Sequence, residues 1–531
     1  LAIEYQNQTQ TLQYPKVYSG LAVLRQLLES FADAMDGWMA LSICLIVLCV
    51  VPLGIIEAHS HLLTNDEIYT LHIARSPTIG RLLALTREID LHPPVHYLAV
   101  REALRTGLPR RVAARLPSLL AAVLLSLCLF QWTSRRLGNL FAFSAVGVFW
   151  LSPALDMAWS DRPYMLWLAW LCVLLLARDV AMRDDRPWWA VPAVFAATLL
   201  MVLTHLLGIA CVGPFLLAEA WRALQRRRVD WMYVLALVTP TLCGLAFYYQ
   251  IHHLSENSFP LQQLPSFGAF VITYTTVVVN TMVVILGCLM GALVLFGRDA
   301  RETERRLFGA YSVEDFILLV SLVALPVVIL LAGHVFQIQF WLRYGYAAAP
   351  AWALLAAWIL ARKLPLPRMV AVIMAISCVG YMVGRMLTEA TPQGNAGIME
   401  GGRMPIPLAS LNPNLPIVTA SPMTFVEMSD REKPDIAKRV VYLTDVHAAM
   451  QYSHYTLFEN EGKIARLLNL PSHGEPLQPF LQQHQEFYVV GDYHRPEVWL
   501  LRKLAADGLD LDYLGTFQST YQSEDLYLVR Q

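Results

Sequence analysis

Charge is scarce in this chain. Asp, Glu, Lys and Arg make up 15% of its 531 residues, against 56% hydrophobic, and the mean hydropathy is +0.45. That balance excludes an ordinary water-soluble domain. The charges fall between long apolar runs, the pattern of a polytopic membrane protein with a more polar tail. A basic domain with interleaved aromatics is also missing, which argues against nucleic-acid partners. The formal net charge of −1 points to no partner class. None of the eight cysteines stands in CxxC spacing, and all lie inside apolar runs, from Cys44 to Cys378. They read as small core hydrophobes rather than disulfides or zinc ligands. The polar tail has none and must hold without disulfides. No cleavable signal pattern is visible; the sequence opens on Leu1, and an N-terminal extension is expected.

What is present is apolar and periodic. Eleven spans are expected, near 38–57, 113–131, 139–155, 163–178, 188–205, 207–221, 231–249, 268–297, 314–333, 346–361 and 369–387. A crossing needs about 17–25 helical residues, so 188–221 reads as a tight hairpin of two spans. The run 268–297 exceeds one crossing and is expected to tilt or project. Ahead of the first span, residues 1–37 hold helical apolar spacing from Leu21 to Met35. That helix either lies along the membrane surface or packs on the protein's own loops. Alternate short loops carry the cations Arg135–Arg136, Arg178–Arg186, Arg222–Arg228, Arg298–Arg306 and Arg362–Arg368. The positive-inside rule then puts the N-terminus in the cytoplasm and the tail outside.

The first outward loop, 58–112, holds Arg75, Arg81, Arg87, Arg101, Arg105, Arg110 and Arg111. Long loops translocate despite such charge. Its arginines are solvated, paired with local acids, or used to bind anionic lipid head groups. Asn65 is expected to cap a helix Asp66–Ala74, Ser76-Pro77 to start another to Arg87, and Pro93-Pro94 a third through Arg105. Residues 38–387 form the membrane domain, and 388–531 reads as a separate α/β domain. After a Pro/Gly-rich linker to Pro416, strands are expected at Ile417–Ala420, Val440–Leu443, Phe487–Val490, Asp512–Phe517 and Leu526–Val529. Helices are expected from Thr424 and over Pro496–Ala506. The tail has no phosphate-binding glycine fingerprint and no metal-ligand spacing.

Ionisable residues near membrane depth are costly and therefore functional candidates. Those at outer span ends are Asp66, Glu67, Asp90, His92, His96, Arg115, Asp161, Arg162, Tyr164, His205, Arg343 and Tyr344. Asp66 and Glu67 are either ordinary acids of a helix N-terminus or carboxylates able to take a proton from a hydroxyl. Asp90, His92 and His205 are candidate ligands for a divalent metal; the plainer reading is structural histidines. Arg115, Arg162 and Arg343, with Tyr164 and Tyr344, either snorkel to the interface or bind a lipid phosphate, whose oxygens match a guanidinium fork.

Taken in order, Asp66-Glu67, His92-Pro93-Pro94-Val95-His96-Tyr97, Arg115-Leu116-Pro117-Ser118, Arg162-Pro163-Tyr164 and Thr204-His205 resemble the GT-C superfamily of integral membrane glycosyltransferases. The nearest likeness is to the bacterial branch related to protein O-mannosyltransferases and lipid A aminoarabinose transferases, over roughly residues 38–350. The resemblance implies inverting transfer from a polyprenyl-phosphate sugar to an acceptor on the outer face of a bacterial cytoplasmic membrane. On that pattern Asp66 is the base and Asp90 the second acidic residue. Aminoarabinose transferases carry Glu-Lys before Pro-Pro where this chain has Leu91-His92, so the sugar is left open. Arg162 and Arg343 would neutralise the departing phosphate, and no nucleotide cofactor is needed. Two other readings remain: a transporter or flippase of lipid-linked glycans, and a non-catalytic assembly subunit. Transporters place their polar residues near the bilayer midplane, often in repeated halves, whereas these gather at one end.

Overall fold

The computed structural model describes residues 15–90, 92–255, 267–296, 311–336, 340–390, 408–454, 456–495, 498–518 and 523–531. What the sequence predicts for residues 1–14, Leu91, Arg298–Arg306, most of the linker and Pro496 lies outside them. The helices used below are α1 (Pro15–Gly37), α2 (Met39–Ser60), α3 (Asn65–Ala74), α4 (Ile79–Leu85) and α5 (Val95–Leu104). They continue with α6 (Arg110–Leu137), α7 (Asn139–Trp150), α8 (Tyr164–Ala181), α9 (Ala190–Thr204) and α10 (Leu207–Arg226).

Among the described residues nine helices are long and apolar enough to cross a membrane. Two of the eleven expected spans depart from that form. The segment 139–155 is α7 followed by the short helix Pro153–Trp159, bent by 79° at the break. Pro153 opens that second helix and lacks the N–H that would carry α7 onward. The segment 188–205 is α9, only 15 residues long. The long run 268–297 is one span, Phe270–Phe296, with a π-helical turn at Thr275–Val279.

Burial sorts the spans into two rings. The span windows of α6, α8 and Leu342–Lys363 are 72–78% buried, whereas those of Phe270–Phe296 and α2 are 28% and 33%. The first three form the centre and the last two the lipid-facing edge. Small residues allow the close crossings. A Cβ on Gly54 of α2 would lie 2.3 Å from Leu119 of α6, and one on Gly147 of α7 would lie 2.6 Å from Cys378. In lipid, such close contact replaces the hydrophobic drive that water would supply. Helix α1 packs on α2, α7 and the last span, Pro367–Glu389, through Leu28, Ala32 and Met35. Leu24 and Leu27 remain exposed along its other edge. The helix thus packs on the spans themselves rather than on the loops, and that packing accounts for its buried stripe.

In the first loop two expected helix starts shift. Thr64, not Asn65, caps α3: its hydroxyl accepts from Glu67 N, and Glu67 Oε2 accepts from Thr64 N at 2.8 Å. This reciprocal pair satisfies two orphan donors at once, which Asn65 one position later would not match. Ser76-Pro77 starts no helix. Extended Thr78 caps α4 instead, accepting from Arg81 N at 3.1 Å, and α4 passes into a π-turn over Thr86–Asp90. Helix α5 follows Pro93-Pro94 as expected. Loop arginines find partners nearby, as Arg105 with Glu102 at 2.7 Å, and in the tail, as Arg81 with the Leu467 carbonyl at 3.1 Å.

The tail is a six-stranded sheet in the order β3-β2-β1-β4-β6-β5. Strands β1 (Ile417–Thr419), β2 (Val440–Thr444), β3 (His473–Pro476) and β4 (Glu486–Gly491) run parallel. Strands β5 (Asp510–Gln518) and β6 (Ser523–Arg530) close one edge antiparallel. Strand β3 adds to the strands expected from the sequence; it is short, half-exposed and at the opposite edge, with no apolar alternation. Helices Pro422–Arg431 and Glu461–Leu468 seat the sheet on α3. Ile68, Leu71, Leu82 and Tyr97 of the loop share one apolar cluster with Phe425, Val426 and Leu468 of the tail. Loop and tail therefore make one outer layer over the spans.

Candidate active site

The site grows from the first turn of α3, where adjacent acids diverge by about 100° around the helix. Glu67 points inward. Its carboxylate takes Arg115 Nε and Nη2, both at 2.8 Å, and the Asp161 amide at 2.8 Å. The remaining guanidinium hydrogens of Arg115 go to the carbonyls of His61 and Leu62 at 2.9 Å and Ala58 at 3.3 Å. Both side chains are buried. Burial alone would raise the Glu67 carboxyl, but Arg115 and the two backbone amides hold it below the ordinary glutamate value. Arg115 thus joins α2, α3 and α6 and has no donor facing outward for a phosphate, unlike its expected role.

Asp66 points the other way, into the part-open gap between Arg162 and Arg343, with its side chain 35% exposed. Arg162 Nε and Arg343 Nη1 each stand 3.8 Å from its Oδ2. The Nε atoms of both arginines are buried without a hydrogen-bond partner. Arg162 is aimed by Asp90, which receives Nη1 at 2.7 Å and Nη2 at 3.0 Å. Tyr97 also donates to Asp90, at 2.6 Å, and His92 Nδ1 lies 3.2 Å away. Burial would raise the Asp90 carboxyl, yet Arg162 and His92 hold it well below the aspartate range. Beneath this lies a second buried pair, His96 with Asp161 at 3.0 Å. Burial pushes the Asp161 carboxyl up to about 6 despite its histidine.

Aromatic rings form the side wall. The Arg343 guanidinium lies over the rings of Tyr164 and Trp341, at 5.4 and 5.2 Å. The His205 ring stacks on Trp167 at 5.2 Å, with His92 at 5.1 Å and Tyr164 at 5.0 Å. Tyr344 closes the group 6.4 Å from His205.

Asp90, His92 and His205 do not fit a metal. Both Asp90 oxygens already accept from Arg162. The Leu207 amide donates to His205 Nδ1 at 3.1 Å, which leaves the proton of the neutral ring on Nε2, a buried nitrogen with no hydrogen-bond partner. Among the described residues one set of three ligand atoms does converge, within 4.8 Å, at Glu57, His61 and Glu389. His61 Nε2 already bridges the two carboxylates at 3.1 and 3.0 Å, and Arg385 binds Glu57 at 2.7 Å.

One partner of the site escaped the sequence reading. Tyr69 donates at 2.7 Å to Glu461, which opens the tail helix Glu461–Leu468. Burial pushes this carboxyl up to about 8; the tyrosine lowers it and nearby Asp66 raises it further. The available signal was Tyr69 itself, three residues after Asp66 and so on the same helix face.

No family model and no curated protein matches the chain. Solved structures do. ArnT from Cupriavidus metallidurans bound to undecaprenyl phosphate aligns over 93% of this chain and 98% of its own, at 14% identity and TM-score 0.55. Its apo state gives the same values. The Archaeoglobus fulgidus oligosaccharyltransferase aligns over 86% of this chain and 69% of its own, at 13% identity and TM-score 0.40. The protein is a multi-pass membrane protein with the GT-C fold and a C-terminal sheet domain.

Proposed function

We propose that this protein is a glycosyltransferase that moves a sugar from a polyprenyl-phosphate donor to an acceptor at the periplasmic face of a bacterial inner membrane. One observation carries the reading: Asp66 stands part-exposed in a cleft between two guanidiniums, each 3.8 Å away. Transfer from a phosphate-linked sugar is served by a base beside cations that meet the charge on the leaving phosphate. The acceptor hydroxyl gives its proton to Asp66, and its oxygen bonds to the anomeric carbon from the face opposite the phosphate. The bond between that carbon and the phosphate oxygen breaks with inversion, and the phosphate leaves with the electron pair. Arg162 and Arg343 meet the charge it gains. Asp90 acts as a positioning residue, since it touches Arg162 rather than the reacting atoms.

Two further facts support the donor class. Read by the positive-inside rule, the arginine-rich short loops support an outward-facing site, and an ArnT of the same fold was crystallised with undecaprenyl phosphate. The experiment is transfer of label from synthetic polyprenyl-phosphate sugars by the purified protein in a bilayer. Labelled acceptor is expected with the wild type. Absence of transfer from any such donor, or equal transfer by Asp66→Asn, would reject the reading.

A further inference from the structure

A second concentration of positive charge lies away from the cleft, on the seam between loop, tail and spans. Arg110 and Arg111 occupy the first turn of α6, which has no acid there and whose N-cap, Pro109, offers no side-chain cap. Cations at a helix N-terminus oppose its dipole, so this turn is destabilised unless negative charge comes from elsewhere. The tail supplies part of it. Asp430 binds Arg110, and also His72 Nε2 at 2.9 Å.

That supply falls short. A cavity of about 360 Å³ opens at this point, lined by Leu62, Leu63, Arg110, Arg111, Asp430 and Arg431. Its wall carries three guanidiniums against one carboxylate, and that carboxylate is already shared with His72. Arg431 is paired by Glu427 at 2.7 Å. The Nε atoms of Arg110 and Arg431 are buried and make no hydrogen bond. Arg75 adds a further cation nearby: burial and repulsion from Arg110 pull it below the ordinary arginine value. The cavity sits where the span α6 begins and α2 has just ended, with Leu62 and Leu63 as its apolar side.

We infer that this cavity is an anion site for a phosphoryl group at the membrane surface, separate from the Asp66 cleft. Guanidinium forks suit phosphate oxygens, and a helix N-terminus without a side-chain cap, as at α6, favours an anion beside it. A phospholipid headgroup and a free phosphorylated solute present the same chemistry. The inference stands whether or not the cleft transfers sugar.

Two probes on the full-length protein test it. Inorganic phosphate is titrated into protein in neutral detergent and read by thermal shift. Separately, protein in nanodiscs of phosphatidylglycerol or of phosphatidylcholine alone is read by native mass spectrometry for retained lipid. Binding of at least one anionic probe is expected, weakened about tenfold or more in Arg111→Gln/Arg431→Gln and kept in Arg111→Lys. Phosphate binding assigns a soluble ligand; selective retention of phosphatidylglycerol alone assigns a headgroup. Asp430→Asn, which removes the competing carboxylate, is expected to raise the phosphate-induced shift, a readout that survives should the double variant not fold. Binding of neither probe by the wild type, or equal binding by the folded double variant, overturns the site.

Discussion

Asp66 and Glu67 are neighbours in sequence, and each faces arginines, yet their surroundings differ in every physical respect. Glu67 and Arg115 are buried, bidentate at 2.8 Å and saturated by backbone. Asp66 stands in a part-open cleft with both arginines at 3.8 Å. A closed pair fixes geometry: three helices meet at it, and breaking it strands a charge away from water. An open trio leaves room between unlike charges for a substrate. One helical step separates scaffold from chemistry.

Variants can break this comparison, and the first should have the largest effect. Asp66→Asn is expected to lower sugar transfer by about 10²–10⁴-fold, the usual worth of a general base, with an unchanged unfolding midpoint. Glu67→Ala should do the reverse. It leaves Arg115 uncompensated and costs about 3–5 kcal/mol of stability, read by denaturant unfolding in detergent. A Glu67→Ala protein as stable as wild type would remove the scaffold role. Arg343→Gln should reduce turnover by about 10- to 100-fold, a discounted share of a full charge-stabilising donor because the group is part-exposed. A fall in affinity alone, with turnover kept, would make Arg343 a binding residue.

The smallest effect is a dependence on pH across the seam of loop and tail. Folding raises the Glu461 carboxyl from 4.5 to about 8. Its contribution is full below about pH 4.5 and is lost as pH rises toward 8, because the unfolded chain releases that proton first. Asp430 has the opposite sign. Burial would raise it, but His72 and Arg110 hold it below its ordinary value, so its contribution is lost as pH falls. Glu461→Gln should therefore flatten the alkaline side of the stability profile and leave the acid side. An unchanged alkaline slope would show that Glu461 titrates normally.

Much of the fold was legible because lipid imposes long apolar runs, and Pro93-Pro94 fixed the start of α5. Asp66 was legible as a loop acid at a span end. What the sequence could not separate was Arg115 from Arg162. Both are arginines at outer span ends, and only the packing of α2, α3 and α6 decides which one is enclosed. The same limit applies to Asp90, whose carboxylate looked free for a metal until Arg162, 72 residues later, closed on it. Glu461 lay further out of reach, since its contact with Tyr69 spans 392 residues. The shift from Asn65 to Thr64 has a local cause: both are good caps, and the glutamate three residues after Thr64 decides between them.

The short helix α9 has a consequence for the first loop. Trp188 and Trp189 at its start are exposed at 87% and 46%, as tryptophans at a headgroup boundary are. From there, 15 residues rise only about 22 Å, against a hydrocarbon thickness of about 30 Å. Thr204 and His205, at its far end, therefore stand below the level of the surrounding lipid carbonyls. Both residues are buried in protein, and α5 of the first loop packs on α9, so the missing depth is filled by protein rather than by lipid.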